Sequence, residues 1–156
     1  TQPVIVVSWY GAHAYAEYYG LSLPTEAQWE YAARGPAANT FPWGDDWDRQ
    51  RCCNRQNRGQ GYPPTTEVGS FPDGASWCKA LDLAGNIWEW CADWYDPEYY
   101  AEAPQHAPQG PNTGKYHALR GGSWYNEAEY CRAAARDRGG PKDTFNYVGF
   151  RCLRIP

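Results

Sequence analysis

Two stretches of the chain carry a helical period. Ser8 is a good N-cap for a helix over about Trp9–Tyr19, with Gly20 as its stop. Pro24-Thr25-Glu26-Ala27-Gln28 reads as a capping box, with Thr25 as the cap and Gln28 reaching back. The helix it starts runs over about Glu26–Arg34 and stops at Gly35, with Trp29, Ala32 and Ala33 on one face. From Gly35 to Pro72 the pattern breaks into turn signals: Gly35-Pro36, Pro42-Trp43-Gly44-Asp45-Asp46, Gly59, Gly61 and Pro63-Pro64. So long an irregular stretch inside a domain is functional, or is pinned by a metal or by side-chain hydrogen bonds. Ile87–Cys91 and Trp94 alternate as a strand. Residues 96–115 read as loop, with Pro104, Pro108 and Pro111. Tyr116–Arg120, Arg132–Arg136 and Val148–Ile155 read as short strands. There is no internal repeat. The pattern predicts an α+β domain of two helices on small antiparallel sheets with long ordered loops.

Composition changes what the core is made of. At 156 residues the chain is one domain, long enough for a real core. Nine Trp and thirteen Tyr carry the burial that aliphatic residues usually supply. Net charge is -4, and no Lys/Arg block exceeds two in a row, so no nucleic-acid footprint shows. No apolar run approaches the roughly eighteen residues needed to cross a bilayer. Thr1–Val7 lacks the charged region of a signal peptide. The chain contains no Met, not even an initiator, which suggests a piece of a longer protein. Cysteines stand at 52, 53, 78, 91, 131 and 152, with no C-x-x-C and no Cys/His zinc spacing. They read as buried free thiols, which favours a reducing, cytoplasmic compartment, with one or two unassigned disulfides as the alternative.

Residues 117–152 form a fixed frame around a loose filling. The frame is His117-Ala-Leu-Arg-Gly-Gly-Ser-Trp124, six residues, Cys131-Arg132, sixteen residues, then Gly149-Phe150-Arg151-Cys152. The filling is rich in aromatics, small polar residues and Gly, the composition of an antibody-like contact surface. It holds no nucleophile paired with a base. That contrast predicts a binding module and no enzyme. Cys131 lacks an identifiable base nearby in sequence, and Cys52-Cys53 read as loop thiols.

The chain resembles the formylglycine-generating enzyme (sulfatase-modifying factor) family almost end to end. The matching segments include Leu23–Gly35, Phe41–Asp45, Leu81–Trp90, Arg120–Trp124 and Gly149–Arg151. The resemblance implies a C-type-lectin-like fold of the sulfatase-modifying type, here without an N-terminal strand segment that the family has before Pro3. It also implies a copper-binding Cys pair just after the Gly-Gly-Ser segment. Asn126 stands at the first position, and the following stretch is shorter, which leaves Cys131 as the only thiol nearby. No copper is expected from a single soft ligand. No iron is expected either, because His13, His106 and His117 show no ligand spacing. Ala16, Ala33 and Ala133 replace cysteines that form disulfides in the enzyme. The family's calcium site implies Asp82 and Glu89 side chains with the Ala84 and Gly85 carbonyls, hard oxygen donors that suit Ca²⁺. Lys79 brings an ammonium close to it. A second such site, at Asn54 and Arg55, lacks its carboxylate near Gln60.

The spacing of the frame is similar to that of the variable proteins of diversity-generating retroelements, which share this fold. In those proteins adenine-directed mutagenesis of Asn-type codons diversifies exposed ligand-binding positions. The resemblance implies that these are Tyr125, Asn126, Tyr130, Ala135, Asp137, Gly139, Gly140, Asp143, Thr144, Phe145, Asn146 and Tyr147. All are reachable from an Asn codon by changing adenines, whereas Glu127, Glu129 and Lys142 are not. Arg120, Ser123, Trp124, Arg132, Arg136 and Arg151 read as scaffold. The expectation is a non-catalytic domain that binds a protein or other macromolecule, with no nucleic acid and no membrane insertion. Phe145→Ala or Tyr147→Ala is expected to weaken binding and leave the fold intact. The alternatives are a divergent formylglycine-generating or sulfoxide-synthase-like oxidase, and a structural accessory domain of a larger regulatory protein.

Overall fold

The structure, a computed structural model, describes residues 1–154. Helix α1 spans Trp9–Tyr18, and Ser8 Oγ accepts the Gly11 amide at 3.2 Å as its N-cap. Helix α2 spans Glu26–Arg34. Its capping box is complete: Thr25 Oγ1 accepts the Gln28 amide at 3.2 Å, and Gln28 Oε1 accepts the Thr25 amide at 2.8 Å. Gly35 ends α2 at φ 66°, a conformation that disfavours any side chain. A single turn of helix, α3, covers Tyr99–Glu102 within the stretch read as loop.

Four strands form one sheet. They are β1 (Trp88–Trp94), β2 (His117–Arg120), β3 (Arg136–Gly139) and β4 (Val148–Gly149), in the order β3-β2-β1-β4. β1 pairs antiparallel with β2 and parallel with β4, and β2 pairs antiparallel with β3. β1 was expected to alternate, but Trp88 through Cys91 are all buried. The reason is its central position. Trp88 and Trp90 pack with Ala12, Leu23, Leu119 and Val148 on one side. Cys91 packs with Trp29, Ala33, Leu83 and Ala118 on the other. Indoles therefore fill the core, as the composition predicts.

Two strand expectations fail in instructive ways. Residues 132–135 are not a strand, and β3 begins at Arg136. The Arg120 guanidinium takes the carbonyls of Ala133 and Ala135, so a side chain replaces the strand partner. β4 is only Val148–Gly149, followed by an isolated bridge between Leu153 and Ser22. Ile155, the end of the expected strand, lies outside the described residues.

The irregular stretch 35–72 is pinned by side chains. Asp45 accepts the Thr40 amide at 2.9 Å. Asn54 Nδ2 donates to the carbonyls of Arg49 and Cys52, and Asn86 Oδ1 accepts the Thr66 amide. All six cysteines carry free thiols. No helix among the described residues is long and apolar enough to cross a membrane.

Candidate ligand-contact face

The turn that follows β2 sets the platform. Gly121 and Gly122 take φ of 101° and 74°. A Cβ on Gly122 would stand 2.7 Å from the Tyr130 carbonyl, so this approach excludes any side chain. Ser123 and Trp124 are buried beneath the face. Arg132 and Arg136 brace it by donating to loop carbonyls, Arg132 to Glu129 and Arg136 to Asp96 and Pro97.

The twelve residues named from the sequence divide into three groups. Tyr125, Tyr130, Asp137, Asp143 and Thr144 are exposed, with Tyr125 at 61% and Tyr130 at 46%. Phe145, Asn146 and Tyr147 are half-buried. Phe145 and Tyr147 stack at 5.2 Å between centroids and lie against the Trp90 core cluster. Alanine at either position therefore removes core packing as well as contact surface, contrary to the expectation of an untouched fold.

The remaining four do not offer a free side chain. Ala135 is buried in the core cluster. Gly139 is buried, and a Cβ there would stand 2.5 Å from the Trp90 ring. Gly140 is half-buried, and its Cβ would stand 2.7 Å from the Asp143 carboxylate. Asn126 is a scaffold residue. Its Oδ1 accepts from the Ser123 amide at 3.0 Å, Ser123 Oγ at 2.7 Å and Trp88 Nε1 at 3.0 Å. The physical reason is the same in each case: reachability of a codon says nothing of what the fold places around the residue. Gly139→Val is expected to destabilise the domain by about 2 kcal/mol through overpacking against Trp90. Urea unfolding checks this, and an unchanged midpoint would return Gly139 to the face.

The fold adds a residue that the sequence did not single out. Tyr62, 86% exposed, comes from the irregular stretch, and its hydroxyl accepts from Asn146 Nδ2 at 3.1 Å. A cleft of about 520 Å³ lies between this loop and the face, lined by Arg58, Tyr62, Pro64, Trp124 and Tyr125 among others. Arg55 ties the loop to the face, its amide donating to the Asn126 carbonyl at 3.0 Å and its guanidinium 3.5 Å from Glu127. A signal was present in the Gly/Pro-rich run around Tyr62, but its partner was not readable across 84 residues of chain.

The expected calcium donors are otherwise engaged. Glu89 is buried and accepts Arg151 Nε at 2.6 Å, Arg151 Nη2 at 2.7 Å and Trp29 Nε1 at 2.7 Å. A guanidinium thus already supplies the countercharge. Asp82 Oδ2 accepts the Gly69 amide at 2.7 Å, and the Gly85 carbonyl accepts the Ile87 amide at 2.8 Å. The Ala84 residue is buried in the same turn. Burial raises the Asp82 carboxyl above its ordinary value.

Comparison with known proteins sets this geometry in a family. The model of the sulfatase-modifying factor enzyme 1-like domain matches residues 1–156. A formylglycine-generating enzyme of Streptomyces coelicolor is 45% identical over 165 residues, covering 96% of this chain and 52% of that protein. The chain thus spans about half the length of that relative. Among solved structures, Treponema denticola variable protein 1 superposes with a TM-score of 0.81 at 26% identity, covering 97% of this chain and 70% of that one. PvdO from Pseudomonas aeruginosa superposes with a TM-score of 0.82 at 26% identity, covering 97% and 61%. The fold is the C-type-lectin-like fold of the sulfatase-modifying type, as the resemblance implied. One expectation is corrected. Asn126 and the missing nucleophile–base pair pointed to a protein outside enzymology, yet curated relatives at up to 45% identity are named as enzymes. Asn126 and the shortened stretch after it do not take the chain out of an enzyme family. With its full length matched and its frame residues in place, this chain belongs to the sulfatase-modifying factor enzyme 1-like family.

Proposed function

We propose that the domain binds a protein or other macromolecular ligand through the face built by Tyr125, Tyr130, Asp137, Asp143, Thr144, Asn146 and Tyr147, bordered by Tyr62. One observation carries this reading: the exposed Tyr125 and Tyr130 rings stand over a turn braced from beneath by Asn126, which accepts from Ser123 and Trp88. Tyrosines of this kind supply large amphipathic contact area with few rotatable bonds, and Asp, Asn and Thr supply adaptable polar contacts. The likeness to the Treponema denticola variable protein, at 26% identity, supports a diversified role for the same segment. Deep sequencing of the codons for 117–152 in a population carrying the gene tests it. The expected result is substitution at adenines in the codons of the exposed positions, with Arg120–Trp124 at background. Equal background rates in both sets would sink the diversified reading. For a partner selected by display, Tyr125→Ala with Tyr130→Ala is expected to weaken binding at least tenfold.

The 45% identity to a formylglycine-generating enzyme favours a second reading, in which the chain generates formylglycine. Incubation with cysteine-containing peptides, scored for new aldehydes with a hydrazide probe, separates it from binding alone.

A further inference from the structure

The outer edge of the sheet carries an alternating row of rings and cations. β3 is the last strand on its side and pairs with β2 alone. Arg136 and Arg138 stand two residues apart on it, so their side chains share one face. Tyr95 lies just beyond β1 and Tyr116 just before β2. The Tyr95 amide donates to the Tyr116 carbonyl at 2.7 Å, which holds the two residues side by side. The Arg136 guanidinium stands 4.9 Å from the Tyr100 ring centroid and 4.7 Å from that of Tyr95. Arg138 follows at 5.3 Å from Tyr95 and 5.7 Å from Tyr116, and Lys115 ends the row at 5.1 Å from Tyr116.

The three cations are not equivalent. Arg136 is half-buried and spends its fork on Glu26 and on the carbonyls of Asp96 and Pro97. Arg138 and Lys115 are exposed, and among the described residues neither has a carboxylate within ion-pair reach. The backbone of this edge is not on offer. The Arg138 amide donates to Asp137 Oδ1 at 2.8 Å, so a side chain closes the edge against a further strand. What the edge presents is charge. A planar guanidinium held beside two rings has little freedom left to lose, and its unspent fork matches a carboxylate. A chain of net charge -4 repels a polyanion as a whole, which favours a short acidic segment over a polyphosphate. We propose that Arg138 and Lys115, set on Tyr95 and Tyr116, form a docking site for an acidic peptide segment of a partner protein. One carboxylate takes the Arg138 fork, a neighbouring one takes the Lys115 ammonium, and the rings cover the aliphatic stems between them. Arg138 alternates with Asp137 along β3 and so lies on the opposite side of the strand from the ligand-contact face. The site therefore does not rest on that reading.

Fluorescence anisotropy of a labelled hexaglutamate peptide at low ionic strength tests the proposal, with labelled hexaglutamine as the control. The expected result is saturable binding of hexaglutamate alone, weakened roughly tenfold by Arg138→Gln. Arg138→Lys, which keeps the charge but not the fork, is expected to weaken it as well. Arg49→Gln, which removes an exposed cation from the irregular stretch, is expected to leave it unchanged. No saturable binding, or equal weakening in Arg138→Gln and Arg49→Gln, overturns the proposal. So does displacement of the peptide by inorganic phosphate at matched charge, which would make the edge a phosphate site. Should Arg138→Gln fail to fold, Lys115→Gln decides in its place. Weaker hexaglutamate binding in that variant supports the site, and unchanged binding refutes it.

Discussion

Arg120→Ala is expected to cost about 3–5 kcal/mol, a large share of the roughly 5–15 kcal/mol that holds a domain together. The side chain is fully buried. Its Nη1 donates to the Ala133 carbonyl at 3.0 Å and to that of Ala135, and its Nη2 pairs with Glu30. Its Nε lies 3.3 Å from Glu26 Oε1, but off the line of a hydrogen bond. The guanidinium also stands 5.4 Å over the Trp29 ring. Removing it leaves Glu30 to Arg34 and buried Glu26 to Arg136, and opens two carbonyls that have no strand partner. The cost lies chiefly in what is left unpaired, so Arg120→Lys, which keeps the charge but not the fork, should lose nearly as much. Urea unfolding of both variants measures it. A loss under about 1 kcal/mol would mean that segment 132–135 is held by something other than this side chain.

The second large effect is hidden in the wild type by cancellation. Burial, with Glu26 nearby, raises the Asp93 carboxyl to about 6 from 3.8. Burial lowers the His117 imidazole to about 4 from 6.5. The ring is clamped between Trp9 and Trp94, at 3.7 and 3.9 Å between centroids. Asp93 binds its proton more tightly in the folded state, so its contribution is full below pH 3.8 and is lost as pH rises through 6. His117 binds its proton less tightly when folded, so its contribution is full above pH 6.5 and is lost as pH falls through 4. Each is worth at most about 3 kcal/mol, at about 1.4 kcal/mol per tenfold change in proton affinity. The two slopes oppose each other across about pH 4–6. In Asp93→Asn, which retains an acceptor for the Glu26 amide, stability should fall as pH drops from 6.5 to 4. In His117→Phe, which retains the stack, stability should instead rise as pH drops from 6 to 3.8. Melts of the two variants across this range check the signs. Parallel slopes would show that neither group titrates as its burial requires.

Much of this fold was legible because its signals are local. The Ser8 cap and the Thr25–Gln28 box act within one turn, and both helices stand within a residue of where the pattern puts them. What failed depends on distant partners. Residues 132–135 look like a strand by composition, and only Arg120 decides otherwise. Gly139 looks free until Trp90 is seen against it. The contact face was legible in outline, since the frame spacing marks where the backbone must be rigid. The place of Tyr62 was not legible, because only the long irregular loop brings it against Asn146.

The central claim is that the rim can change while the frame beneath it cannot. Two libraries test it most directly, displayed and scored for protease resistance. One randomises Tyr125, Tyr130, Asp137, Asp143 and Thr144, and the other Arg120, Asn126, Ala135 and Gly139. The account predicts that most rim variants stay as resistant as the parent and that nearly all frame variants are cleaved. Equal sensitivity of the two libraries would contradict it.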